Sequence, residues 1–420
     1  MGRNGTRNGT RVVVTGMGAL TPLGNSVSEF WQGCIEGRSG IDYVTQFDAT
    51  GYPSQIVGEV KGFDPLDHMD RREARRMSRF SQFAVAAGRQ ALEAAELDLE
   101  REDRSRVGVL LGNGIGGLPN IEDAVHAIRE KGGMRIDPFF LPKMLPNMAA
   151  AHLSMALGAK GYSNTVITAC AAGTQAMGDS LDLVRAGRAD AVLTGGTEAA
   201  LCELGLCGFA VMRALSTRND EPQKASRPFD ADRDGFVAAE GAAIFVFESL
   251  EHAQRRDAPI IAEIAGYGAC NDAYHVVAPC ADGEGAIRAM NWAMEDAGVT
   301  PDQVDYINAH GTGTKMNDTV ETFAIKKAFG ELAYRIPVSA TKSMIGHSFG
   351  AAGAIESVAT IESLREGVIP PTINYDTPDP ECDLDYVPNE ARRADVRIAL
   401  KNSFGFGGQN ACLLFKRYPD

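Results

Sequence analysis

The chain repeats itself, and nothing else in the sequence narrows its possible folds as much. Three segments of the first half recur, in the same order, in the second. VVVTGMGA (Val12–Ala19) is echoed by AEIAGYGA (Ala262–Ala269), and VGVLLGNGIGG (Val107–Gly117) by VDYINAHGTGT (Val304–Thr314). AAGTQAMGDSLDLVRAG (Ala171–Gly187) returns at equal length as AAGAIESVATIESLREG (Ala351–Gly367). Three ordered matches argue for a duplicated structural unit. Each unit runs from a β-rich segment through a Gly turn to a long helix, expected at 76–100 and 285–297. A buried strand and a Gly/Thr-rich loop follow, then a helix whose first turns carry almost no charge. A helix start that is Ala- and Gly-rich all round is buried all round, and alternating strands and helices imply α/β layers. The expectation is a five-layered αβαβα sandwich: a tail at 1–10, a first half at 11–257 and a second half at 258–420. The first half is the longer, and its extra length is expected as a cap or subunit contact near 119–163.

The repeat also says where chemistry can sit. Cys170 follows an apolar strand and stands one residue ahead of the first Ala-Ala-Gly helix. A helix N-terminus favours an anion, so a thiolate is favoured there. Strand–turn–helix is also the layout of a nucleophile elbow. His310 lies in NAHGTGT, at the tip of the strand echoed by NGIGG; His347 lies four residues before the second Ala-Ala-Gly. Pseudo-symmetry puts the two helix starts face to face, so Cys170, His310 and His347 should converge. Lys342 lies five residues before His347, and by itself reads as a solvated lysine. Asn402–Gly408 (NSFGFGG) interleaves glycine with phenylalanine, which suits a gate or an oxyanion hole. Gly16-Met17-Gly18 is not a dinucleotide fingerprint, because Thr21 occupies the third glycine position.

Composition removes several classes of function. A net charge of −14 repels nucleic acid, and no apolar run is long enough for membrane insertion. The eight cysteines form no CxxC, so neither a disulfide framework nor a zinc site is expected, and a reducing, cytoplasmic setting is. MGRNGT fits a myristoylation pattern and Asn4 and Asn8 fit the glycosylation sequon, but the opening residues read as a polar disordered tail without a secretory signal.

TACAAG around Cys170, NAHGTGT around His310, TKSMIGHSFGAAGA across Lys342 and His347, and NSFGFGG are, together, the hallmark blocks of the β-ketoacyl synthases. The resemblance runs from Arg11 to Lys416 and is strongest to the type II synthases of bacteria and plastids, with GNGIGGL, GFAVMRALS and RPFDADRDGFVAAEGA adding to it. It implies a thiolase-like fold, a homodimer, and acyl transfer with decarboxylative condensation on acyl carrier protein, without a metal or redox cofactor. It also implies roles. Cys170 would carry the acyl group, and His310 and His347 would hold the malonyl thioester and promote CO2 loss. Lys342 would set the local charge, and the N–H groups of Cys170 and Phe406 would form the oxyanion hole. Thr312 and Thr314 would bind pantetheine, while Ile115, Phe209 and a dimer partner's Phe140 would limit the acyl pocket. Phe404 and Phe406 would gate it together with the 272–279 loop. Asn308 and Glu356 would lie near a monovalent-cation site. Lys315-Met316, Val277 and Gln409 depart from common family residues near the entrance.

Carrier protein is acidic, so an acidic enzyme needs a local basic patch to receive it. Arg72, Arg75, Arg76 and Arg79 fall at helical spacing and are expected to share a face, with Arg213 assisting. Two further readings stay open: a polyketide-type ketosynthase, and a non-catalytic chain-length partner. The second would lack the nucleophile that this chain keeps. A thiolase fits less well, because Cys412 lies outside the glycine loop.

Overall fold

The computed structural model describes residues 9–419. The myristoylation-like start and the sequons at Asn4 and Asn8 lie outside the described residues. The first half supplies β1 (Val12–Leu20), β2 (Val107–Gly112), β3 (Ser163–Val166), β4 (Ala191–Glu198) and β5 (Gly241–Ser249). The second supplies β6 (Ala262–Asn271), β7 (Tyr306–Asn308), β8 (Val338–Ser339), β9 (Ile398–Gly405) and β10 (Gln409–Arg417). The first five strands lie in the order β3-β2-β4-β5-β1, and the second five in the order β8-β7-β9-β10-β6. Taken as first to fifth strand of its own half, each order is 3-2-4-5-1. The pairing senses also agree: two parallel neighbours, then two antiparallel ones. The duplication in the sequence is therefore a duplication of topology.

The two five-stranded halves meet along one short seam, where Val12–Val14 pair antiparallel with Ala262–Ile264. Outer helices α1 (Arg79–Ala94), α2 (Leu118–Lys131), α3 (Phe140–Met144) and α4 (Met148–Leu157) belong to the first half. Helix α5 (Ala172–Arg185) follows in the interior and α6 (Glu203–Val211) beside the site. The second half adds outer helices α7 (Glu284–Ala297) and α8 (Lys315–Phe329) and the interior helix α9 (Ala352–Glu366). Helices α5 and α9 touch strands of both halves. In α9 every residue from Ala352 to Leu364 is buried, as its all-round small and apolar start demands. They form the central layer of an αβαβα sandwich.

The paired glycines of the repeat are packing devices. A Cβ on Gly18 would lie 2.1 Å from the Ala87 carbonyl oxygen of α1, and one on Gly268 would lie 2.2 Å from that of Ala289 in α7. Only glycine lets each first strand approach its covering helix that closely. This accounts for Gly16-Met17-Gly18 without a nucleotide.

Two expectations need correction. The helix expected over 76–100 is α1, which begins only at Arg79 because Ser78 is extended, and the arginines ahead of it belong to a separate short helix, Arg71–Ala74, and the turn after it. The four arginines therefore do not share a helical stripe. Arg79 turns inward, 2.7 Å from the fully buried Glu240 and over the Phe83 ring, since a buried carboxylate needs a counter-charge. The extra length of the first half is also not confined to the cap. Helices α2 to α4 do fill 118–157, but much of the added chain is the 21–78 segment ahead of α1. Among the described residues no helix is long and apolar enough to cross a membrane.

Candidate active site

The starts of α5 and α9 face one another at the centre. A Cβ on Gly173 would sit 2.8 Å from the Gly350 carbonyl oxygen. Each helix is entered through a one-turn 3-10 segment, Ala169–Ala171 and Phe349–Ala351, whose first residue has positive φ: +49° at Ala169 and +45° at Phe349. Neither residue is glycine, so both turns hold backbone strain, which structures keep where the geometry has a use. In the first half that strained turn presents Cys170.

Cys170 opens onto a cavity of about 620 Å³. His310, His347, Phe404 and Phe406 line it, as do Ile115, Phe209, Thr312, Thr314 and Arg213. The structure thus gathers most of the residues singled out from sequence. Lys342, Asn308 and Glu356 lie behind that lining, and Phe140, Arg72 and Arg76 do not line the cavity of their own chain either. Arg72 and Arg76 are exposed, and Arg76 lies over the ring of Phe139, next to Phe140.

Burial pushes the Cys170 thiol up to about 11, against the Lys342 charge and the backbone N–H groups of Phe406 and of Cys170 itself. The expected helix-terminus preference for thiolate is present but outweighed by desolvation. The His310 and His347 rings meet edge-on with centroids 5.5 Å apart. Burial, followed by the charge of Lys342, holds both well below the usual histidine range, so both are neutral imidazoles at neutral pH. Lys342 is buried, not solvated. Its ammonium donates to the His310 carbonyl oxygen (2.6 Å) and Nδ1 (3.3 Å) and pairs with Glu356 (2.5 Å). A lysine can only donate, so Nδ1 accepts, and the ring proton of His310 sits on Nε2. The Thr312 and Thr314 hydroxyls are 3.0 Å apart.

An aromatic wall closes the apolar side. Phe209 stacks on Phe349 at 4.8 Å, meets Phe236 edge-on at 5.5 Å and stands 6.5 Å from Phe406. Ile115 packs in the same cluster. The glycine loop is tied to the 271–279 segment. Asp272 N–H donates to the Gly408 carbonyl oxygen (2.9 Å), Gly407 N–H to that of Val276 (2.9 Å), and Asn271 to that of Gly407 (2.7 Å).

Several groups at the site went unread in the sequence. Glu198, fully buried at the end of β4, accepts N–H bonds from Gly114 (2.7 Å) and Gly350 (3.1 Å), and burial pushes it up to about 7. Glu321 plays the matching part in the second half, accepting from the N–H groups of His310 and Gly311 at 2.8 Å each. Phe349 could have been found by extending the last echo two residues back, to Ala169. Lys401 is a fourth, fully buried on β9. At Glu356 no carboxylate oxygen is left for a separate monovalent cation. Both Glu356 oxygens face lysine nitrogens, Oε1 that of Lys342 and Oε2 that of Lys401 at 2.6 Å. Asn308 donates its amide nitrogen to Tyr306 (3.1 Å) and Thr341 (3.0 Å), while its Oδ1 is buried without a hydrogen-bond partner.

A strained cysteine turn, two neutral histidines and two backbone donors in an apolar cavity suit covalent acyl transfer with stabilisation of an oxyanion. Comparison with known proteins agrees. The model described as "Beta-ketoacyl synthase, N-terminal domain" matches residues 9–253, and "Beta-ketoacyl synthase, C-terminal domain" matches 261–376. The chain is 53% identical to a "3-oxoacyl-[acyl-carrier-protein] synthase 2" of Synechocystis sp. over 97% of its own length and 98% of the relative's. It is 50% identical to the protein of that name from Staphylococcus aureus, with the same coverage. Among solved structures, a type II polyketide ketosynthase in complex with its acyl-carrier protein superposes with a TM-score of 0.89 at 38% identity, covering 97% of this chain and 99% of that one.

Proposed function

This chain belongs to the β-ketoacyl synthase family and elongates fatty-acyl chains on acyl carrier protein, and from that premise we propose how its own residues do so. The Cys170 sulfur attacks the acyl-carrier thioester. The acyl group moves to sulfur, and the proton of the Cys170 thiol leaves with the carrier's pantetheine thiol. Malonyl carrier then enters, its arm held at Thr312 and Thr314. As CO2 departs, the electron pair of the breaking C–C bond forms an enolate, whose oxygen receives hydrogen bonds from the neutral His310 and His347 rings. The enolate carbon attacks the acyl carbonyl, the tetrahedral oxyanion rests on the N–H groups of Cys170 and Phe406, and the thiolate leaves. A group whose pKa stands near 11 then takes up a proton, which restores the resting thiol. Decarboxylation supplies the carbanion, so the chemistry draws on no redox cofactor.

The observation that carries this reading is the convergence of Cys170, His310, His347 and the Phe406 loop on one cavity at the facing helix starts. Its test separates the half-reactions. With acyl- and malonyl-carrier substrates, His347→Ala should still gain the acyl mass yet release little CO2. Equal loss of both half-reactions would refute the division of roles.

The enzyme works as a homodimer in a reducing, cytoplasmic compartment. Supporting the dimer, β3 is an edge strand, and Met155, on a helix packed against it, and Ile167, just after it, expose 66% and 56% of their surface. Supporting the compartment, all eight cysteines are free. Dimerisation through the cap would carry Phe140 to the partner's pocket. It would carry Arg76, stacked one residue away, to the partner's cavity mouth, where Arg72, Arg76 and Arg213 receive the carrier. Sedimentation showing a monomer at micromolar concentration would refute this arrangement.

A further inference from the structure

Lys401 stands on β9 immediately before the NSFGFGG loop, and neither half-reaction uses it. Its side chain is fully buried, and its nitrogen contacts oxygen atoms of three kinds: the Glu356 carboxylate at 2.6 Å, the Ser403 hydroxyl at 2.7 Å and the Asn402 carbonyl. Carboxylate, hydroxyl and peptide carbonyl are the oxygen donors that hard cations take. The contact with Glu356 is an ion pair off the hydrogen-bond axis, as it would be for a spherical charge.

The surrounding charges balance only with this lysine included. Lys342 and Lys401 face Glu356, and Glu321 is close by, accepting N–H bonds from His310, Gly311 and Asn402. Two ammonium groups thus stand against two carboxylates in a dry interior. Removing one ammonium would leave a buried negative charge uncompensated, which is strongly unfavourable. Glu356 would then be drawn toward another partner, and Lys342, which fixes His310, would move with it. Burial draws the Lys401 amine down, and the Glu356 carboxylate opposes that shift.

We propose that the Lys401 ammonium is a tethered counter-ion: it fills the place where an exchangeable monovalent cation would balance Glu356, and so holds the Glu356–Lys342–His310 chain without an ion from solution. Lys401 touches no substrate and is a positioning residue. The inference rests on the condensing reading only where activity is measured.

The test is a salt series at fixed ionic strength in sodium, potassium, ammonium and choline chloride. It reads melting temperature and CO2 release from malonyl carrier. Wild type should give the same melting temperature and rate in all four salts. Lys401→Ala opens an oxygen-lined hole. In choline it should melt lower and release CO2 about ten- to a hundred-fold more slowly, the range for a residue that orients a site at second hand. In potassium or ammonium it should recover both. Lys401→Met fills the hole without charge and should be impaired alike in every salt. A wild-type melting temperature that rises in potassium over choline would overturn the proposal. So would a Lys401→Ala protein that matches wild type in choline, or one that no cation restores. Should Lys401→Ala not fold, the wild-type series and Lys401→Met decide. The predicted melting pattern with no CO2 release from wild type would instead strike at the condensing reading.

Discussion

At Cys170 two demands oppose each other. In the role proposed for it the residue must be nucleophilic, yet its cavity must be dry enough for an enolate to survive, and desolvation raises the thiol. Alkylation of Cys170 by iodoacetamide should therefore keep rising, about tenfold per pH unit, from pH 7 to pH 9. A plateau below pH 8 would mean a resting thiolate. Glu198 gives a second test. Its folded-state value, about 7, lies above the 4.5 of an unperturbed glutamate. Stability tied to its protonated form is complete below pH 4.5 and is lost as pH rises through 7. The unfolding free energy of wild type minus that of Glu198→Gln, read from denaturant melts, should fall between pH 5 and pH 8, with a slope of at most about 1.4 kcal/mol per pH unit. A flat difference would place Glu198 among ordinary carboxylates. The convergence of Cys170 and both histidines was legible because the repeat placed them at matched turns. Glu198, Glu321 and Lys401 were not, because a charge inside a strand or helix is read as solvated until its partners, 80 or more residues away for Glu198 and Glu321's Asn402, are known.

At the scale of elements, the pocket wall and the glycine loop make separable predictions. Ile115 packs with Phe209 and Phe349 at the apolar side of the cavity. Ile115→Phe should leave the shortest acyl chains unaffected and slow longer ones progressively, because each buried CH2 is worth about 0.8 kcal/mol. A uniform loss across chain lengths would place the wall elsewhere. Gly407 has φ +77°, and a Cβ there meets nothing closer than 3.9 Å. Gly407→Ala thus strains this conformation of the loop without a clash, costing about 1 kcal/mol. Turnover should fall several-fold while the melting temperature barely moves; a parallel fall in both would make the loop a plain structural turn. The duplicated layers, central helices and covering helices followed from three echoes, since duplicated sequence implies duplicated packing, whereas the order of the strands did not. The break at Ser78 did not follow. Arginine at i, i+3, i+4 and i+7 reads as one helix, and nothing local shows that Glu240, far along the chain, draws Arg79 inward.

For the whole molecule, a net charge of −14 makes the approach of an acidic carrier depend on where the arginines lie. Arg72→Glu with Arg76→Glu should sharply reduce elongation with carrier-bound substrates and spare small thioester mimics, and the wild-type carrier rate should fall with ionic strength. Equal losses on both substrate types would leave these residues as ordinary surface. All of this presupposes that the duplicated fold exists to present one acylated cysteine at the junction of its halves. Intact-mass and peptide analysis after incubation with acyl–carrier protein tests that claim most directly. Wild type should gain one acyl mass, located on Cys170 and discharged by malonyl carrier, and Cys170→Ala should gain none. Acylation at another residue, or elongation by Cys170→Ala, would contradict the account.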